Sequence, residues 1–154
     1  MLHTANIENS EKIIEAGNKK KVKWFILVHS TMVFSKNSSP RIKNRIRIEK
    51  EILKKNSNIT ILSPTMIYGT SRDINMSRLI NFMDKFKIFP VFGNGENYMQ
   101  PLYIKDLANS YFEVIKFKNK TFNKRYILAG KEPIKYINIL RIIEQKLNKK
   151  IYFI

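Results

Sequence analysis

The stretch "FILVHSTMVFSKNSSPRIKNRIRIEKEIL", Phe25 to Leu53, decides the fold. Together with the preceding "VKW" it opens on a β-rich apolar run that ends at His29-Ser30. Such a run without polar alternation predicts a strand buried on both faces. Pro40 can open the next helix, because its missing N–H falls where a helix leaves its first N–H groups unbonded. Ile42, Ile46, Ile48, Ile52 and Leu53 then form an apolar stripe at helical spacing. A doubly buried strand leading into an amphipathic helix is a unit of a parallel sheet.

The pattern continues on both sides. Upstream, "SEKIIEAGNKK" (residues 10–20) reads as a helix with Ser10 as N-cap candidate and Ile13, Ile14 and Ala16 on one face. Downstream, "NITILSPTMIYG" (58–69) reads as a second buried strand, ended by Pro64 and a loop through Gly69 and Arg72. "NMSRLINFMDKF" predicts a helix, and "KIFPVFGNGENYMQPLYI" a short extended region with a glycine turn. Asp106 is the expected N-cap of the helix "LANSYFEVIKF", since its carboxylate can accept from first-turn N–H groups. A strand "KRYILAG", an amphipathic helix "YINILRIIEQKLNKK" and a last strand "IYFI" follow. Strands alternating with helices predict an α/β fold, with ligands gathered at the carboxyl ends of the strands. The two ends of interest are His29-Ser30-Thr31 and Pro64 to Gly69.

Bulk composition narrows the classes. With 154 residues and 44% hydrophobic content, one soluble domain is the expectation. The absence of cysteine excludes disulfides and thiolate metal sites. Two histidines far apart make a metal site improbable on sequence grounds: His3 is expected in a frayed terminus and His29 in or near the core. The apolar run Trp24–Val28 is much shorter than the roughly 20 residues of a membrane span. The N-terminus lacks the order of a signal peptide, so a cytoplasmic location without a membrane partner is expected. Lysine and arginine number 29 against 12 acids, a net charge of +17. That charge would attract polyanions. No aromatic-lined RNA motif or zinc finger accompanies it, and lysine, asparagine and isoleucine are abundant throughout, so nucleic acid is not the expected partner.

Four segments in order, "VKWFILVHSTMVFSK", "ITILSPTMIYG", "FPVFGNGENYMQPLYIKDLANSYFEVI" and "YILAGKEPIKYINIL", resemble the middle and C-terminal parts of the extended short-chain dehydrogenase/reductase superfamily, in its NAD-dependent epimerase/dehydratase group. The resemblance covers nearly the whole chain. It implies one incomplete NAD(P)-binding, Rossmann-like domain over residues 1–154, a parallel sheet with helices plus part of a small C-terminal substrate lobe at about 70–104 and 125–154. It further implies NAD or NADP as cofactor and nucleotide sugars or related small molecules as substrates.

The resemblance also assigns residues. Ser30, with Thr31 as the alternative, stands at the family's strand-end serine. Counting back from the Glu-rich end of the helix, Lys43 stands where the family has its acid/base tyrosine and Arg47 where it has lysine. Pro64, Thr65, Met66 and Ile67 resemble the segment that passes the nicotinamide. Tyr68, Arg72, Asn75, Gln100 and Tyr103 fall on the substrate side. The family's glycine-rich pyrophosphate turn has no counterpart, and "GNGENY" at Gly93–Tyr98 reads as a turn instead. A truncated or degenerate copy is therefore the expectation, completed by an N-terminal chain or by self-association. The alternative is a non-catalytic basic binding or scaffold module built on the same fold.

Overall fold

The computed structural model describes residues 1–4, 6–36, 39–55 and 58–154. In chain order these form β1 (Leu2–His3), α1 (Ser10–Lys19), β2 (Phe25–Val28), α2 (Pro40–Lys55), β3 (Ile59–Pro64), β4 (Ile67–Tyr68), α3 (Met76–Lys85), β5 (Ile88–Phe89), β6 (Tyr98–Met99), β7 (Leu102–Tyr103), α4 (Ile104–Lys116), α5 (Lys118–Thr121), β8 (Arg125–Leu128), β9 (Ile134–Lys135), α6 (Tyr136–Leu147) and β10 (Tyr152–Phe153). The chain divides into two compact units, the first made of 1–65 and 109–128, the second of 66–108 and 129–154.

The first unit is an α/β layer built on a four-stranded, all-parallel sheet in the order β1-β2-β3-β8. Side chains alternate across a strand, and here both faces are covered. Phe25, Leu27, Ile59 and Ile61 pack with Ile14 of α1 and Ile52 of α2. Trp24, Ile26 and Leu62 pack on the opposite face with Val114 of α4. This explains why β2 and β3 read as unbroken apolar runs. Gly17 lets α1 approach β2, because a Cβ there would lie 2.5 Å from the Phe25 ring. Two polar groups inside this unit are paired with each other and with the backbone: Trp24 Nε1 donates to Thr60 Oγ1 at 2.9 Å, and Thr60 Oγ1 donates to the Thr121 carbonyl at 2.8 Å.

A charged group is also buried there. Glu49 of α2 is 5% exposed. One carboxylate oxygen lies 2.7 Å from His29 Nδ1, and the other pairs with the Arg125 guanidinium of β8. The His29 Nε2 atom faces Ser10 Oγ at 3.5 Å. Burial alone would raise the Glu49 carboxyl, but the hydrogen bonds from His29 and Arg125 outweigh it and hold the group below its ordinary value.

The second unit packs α3 against α6 around Met76, Met83, Ile139, Leu140, Ile143 and Ile151. Three two-stranded pairs edge it: β4 with β7, β5 with β10, and β6 with β9. The glycine segment forms the expected turn, with φ of +70° at Gly93 and +68° at Gly95. Gly130 permits a close backbone approach, since a Cβ would sit 2.1 Å from the Pro101 carbonyl oxygen.

Several local expectations are corrected. His3 is not frayed; Leu2 and His3 pair with Ile26 and Leu27, and His3 is 6% exposed. Ser10 is the first helical residue rather than the cap, and it is fully buried. Asp106 lies inside the first turn of α4, which starts at Ile104, so it complements the helix dipole from within. Residues 125–128 pair with β3 in the first unit's sheet rather than opening the lobe.

Because the Glu49 carboxyl titrates lower in the folded chain than in the unfolded one, its stabilisation is full above the ordinary value of 4.5 and is lost as pH falls through the folded value. Glu49→Gln is expected to cost about 3 kcal/mol, since it leaves His29 and Arg125 without their anion. Urea unfolding at neutral pH measures the loss, and on acidification the variant's stability should fall less steeply than the parent's.

Candidate functional site

The carboxyl ends of β2 and β3 lie side by side, since Val28 pairs with Leu62. The His29 N–H extends the ladder by donating to the Leu62 carbonyl at 2.8 Å. Ser30 follows in extended conformation, and its Oγ accepts from the Met32 N–H at 3.3 Å, capping a short 3-10 turn over Thr31–Phe34. Thr31 Oγ1 donates to the Pro64 carbonyl at 3.3 Å and ties the two strand ends together. The Thr65 N–H donates to the Leu128 carbonyl at 2.9 Å. Ser30, Thr31, Pro64 and Thr65 are thereby gathered at one rim of the first unit. The Glu49 network lies directly behind it, one residue from Ser30.

Helix α2 divides its cations between two faces. Lys43 and Arg47 are exposed and border a shallow depression with Lys50 and Lys54. The Arg47 guanidinium donates to Asn44 Oδ1 at 3.0 Å within the same helix. The inward stripe is Ile42, Arg45, Glu49 and Ile52, at spacings of three and four residues. Arg45 is half-buried, and its Nη2 reaches Asn6 Oδ1 at 3.5 Å in the loop leaving β1. Its Nε is enclosed with no hydrogen-bond partner among the described residues. Arg45 was not singled out from sequence. The available signal was the acid pair Glu49 and Glu51, since an inward Glu49 puts Arg45, four residues before it, on the same stripe.

The remaining candidates belong mostly to the second unit. Met66 is half-buried and packs on that unit's core, and its carbonyl accepts from the Leu102 N–H at 2.8 Å. Ile67 and Tyr68 pair with Leu102 and Tyr103, and the two tyrosine rings stand 5.6 Å apart. Arg72 and Asn75 are exposed. Asp73, not Asn75, caps α3: its carboxylate accepts from the Ser77 N–H at 2.9 Å and from Ser77 Oγ at 3.0 Å. Burial would raise the Asp73 carboxyl, but these hydrogen bonds together hold it below the usual aspartate value. Gln100 Nε2 donates to the Gly130 carbonyl at 2.6 Å and serves as a structural tie. A cavity of about 660 Å³ is bounded by Tyr68, Met76, Ile80, Pro101 and the inner face of α6. Its walls are largely aliphatic.

Among the described residues, no three histidine, aspartate or glutamate side chains gather as a metal site would require. A dinucleotide needs a glycine-rich turn between a strand and a helix N-terminus to hold its pyrophosphate. The five glycines here are placed otherwise: Gly17 lies inside α1, and Gly69, Gly93, Gly95 and Gly130 lie in the second unit. Among the described residues no such cradle is formed.

No protein-family model and no curated protein matches the sequence. Solved structures do. UDP-glucuronic acid 4-epimerase from Bacillus cereus in complex with NAD superposes with a TM-score of 0.79 at 22% identity, covering 94% of this chain and 54% of that one. UDP-N-acetylglucosamine 4-epimerase from Methanobrevibacter ruminantium gives 0.78 at 15% identity, over 97% of this chain and 55% of that one. An NAD-dependent NDP-hexosamine 5,6-dehydratase of tunicamycin biosynthesis gives 0.75 at 14%, over 97% and 56%. The fold is that of the NAD-dependent epimerases and dehydratases. The chain spans about half the length of these structures.

The division of α2 has a measurable consequence. Lys43→Ala and Arg47→Ala should each change stability by less than about 0.5 kcal/mol, as solvent-facing substitutions do. Arg45→Ala should cost about 1 kcal/mol through its lost stem packing and its contact to Asn6. Urea titration of the three variants checks the order.

Proposed function

We propose that this chain supplies the later strands and the substrate lobe of an NAD(P)-dependent, nucleotide-sugar epimerase, dehydratase or reductase, and that it does not catalyse unaided. The observation that carries the reading is the pairing of strand ends, Ser30-Thr31 beside Pro64-Thr65, in a parallel sheet whose fold matches NAD-dependent epimerases over almost all of this chain but about half of theirs. In this reading the Ser30 hydroxyl hydrogen-bonds a substrate hydroxyl or carbonyl, and Thr31 holds the rim in place. Met66, Ile67 and Tyr68 continue toward the lobe, where Tyr68 borders the apolar cavity. Arg45 supplies the positive charge beside the strand ends, because it points inward while Lys43 and Arg47 face solvent. No residue of α2 is a phenol, so the proton relay of a complete enzyme has no equivalent on this helix.

In this reading the pyrophosphate cradle is supplied in the cytoplasm by a complementing N-terminal segment, on the same or another polypeptide, or by a second copy. A second reading, a non-catalytic basic module, is favoured by the +17 charge and by the cationic outer stripe of α2.

Isothermal titration of the chain with NAD and NADP should show no saturable binding in the low-micromolar range. Adding a polypeptide of the strand, glycine-rich turn and helix type should create it. Tight binding by the chain alone would overturn the need for a complement. In light scattering and thermal melting over a salt series, the complement reading expects association promoted by salt, because screening removes the repulsion of a strongly cationic surface. A monodisperse chain strongly stabilised by duplex DNA, with a steep salt dependence, would favour the basic module.

A further inference from the structure

We infer that the concavity between the end of α3 and the chain leaving α6 binds a small phosphate polyanion, a ligand carrying a di- or triphosphate chain. It involves none of the residues assigned above and does not rest on that reading.

The site is built by two segments. Asn148 closes α6 in the left-handed conformation, with φ of 51° and ψ of 42°, and turns the chain back toward α3. Lys149 Nζ then donates to the Asp84 carbonyl at 2.7 Å and pairs with the Asp84 carboxylate. Past this rivet the chain runs parallel to β5, with the Tyr152 N–H donating to the Lys87 carbonyl at 2.7 Å. The result is a concavity of about 630 Å³, within the size range of small-molecule sites, roughly 300–1,000 Å³. Buried Met83 and Ile151 are part of its lining.

Its chemistry is cationic. Four lysines, Lys85, Lys87, Lys149 and Lys150, face one acid, Asp84, which Lys149 already engages. Helices α3 and α6 both end here, and each contributes about half a negative charge. The lysines exceed that, leaving a surplus of about two positive charges. Lys85, Lys87 and Lys150 form no ion pair among the described residues. Lys85 stands 5.4 Å from the Phe86 ring centre and Lys150 5.5 Å from that of Tyr152. One face of each ring is thus turned to an ammonium group, and the lysines rather than the rings carry the recognition of phosphate. Lysines suit this role, since they act as mobile point charges and require no fixed bidentate geometry. The stripe of Lys43, Arg47, Lys50 and Lys54 differs, being shallow and carried by one helix.

The test is isothermal titration with sodium tripolyphosphate at physiological ionic strength. One saturable site per chain is expected. Lys87→Ala with Lys150→Ala should weaken it about 25-fold, near fivefold for each solvated charge pair. Lys87→Arg with Lys150→Arg should retain binding and so exclude a folding defect. Lys43→Ala with Lys50→Ala should leave it unchanged. ATP binding as tightly as tripolyphosphate, while adenosine does not bind, would identify nucleotide tails as a source. Binding of tripolyphosphate alone would identify a free polyphosphate. Unsaturable binding at many sites, or equal weakening by the Lys43/Lys50 pair, would overturn the proposal in favour of general attraction to the net charge. A single-stranded oligonucleotide binding more tightly through the same lysines would overturn the assignment to a small ligand.

Discussion

A single buried carboxylate organises the first unit. Glu49 has left water at a cost that only direct partners offset. Its partners come from different elements: His29 from the end of β2 and Arg125 from β8. Ser10 of α1 stands on the far side of the same imidazole. The outer surface of the Arg125 guanidinium lies over the Phe34 ring at 5.2 Å. Helix α2, two strands and the turn after β2 are therefore registered against one acid. An aliphatic core would tolerate small slips of α2, whereas a two-sided charge pair does not.

This constraint sets the geometry of the strand-end rim. His29 is one residue from Ser30, and Thr31 is bonded to the end of β3. The orientation of α2 that puts Glu49 inside also puts Arg45 on the inward stripe and turns Lys43 and Arg47 to solvent. The second unit follows another logic. Its core is methionine, isoleucine and leucine, its strands come in short pairs, and its polar ties are single contacts rather than a network, as in Gln100 to Gly130 and Asp73 to Ser77. Its two concavities differ accordingly: one is largely aliphatic and bounded by Tyr68, the other cationic and lined by both partners of the Lys149 to Asp84 contact.

The strands β2 and β3 and the helices α2, α3 and α6 were legible because periodicity and punctuation by proline and glycine record local physics directly. What was not legible depends on distant partners. Strand β1 is two residues long, too short for any pattern, and exists because Leu2 and His3 meet Ile26 and Leu27. Glu49 and Glu51 are equivalent in sequence, and only the positions of His29 and Arg125 select the first. The same holds for α3, where Asp73 and Asn75 are both plausible caps and Ser77 decides. The adjacency of the two strand ends carrying Ser30 and Pro64 was legible because parallel sheets align the carboxyl ends of neighbouring strands. The turning of Lys43 and Arg47 to solvent is what a highly charged helix face suggests by itself, against the roles that the family resemblance gives them.

The pairing of β3 with β8 has a kinetic consequence. Ile61 is hydrogen-bonded in register with the strand that begins at Arg125, and the long first segment of the second unit intervenes in the chain. This contact has the high sequence separation that slows folding, because loop closure must precede its reward. Strands β1, β2 and β3 are consecutive and joined by single helices, so they can zip locally. The fourth strand, and with it the Arg125 partner of Glu49, arrives late. During synthesis, the three-stranded intermediate would carry an acid paired on one side only, by His29, and an open strand edge until the chain has passed residue 128.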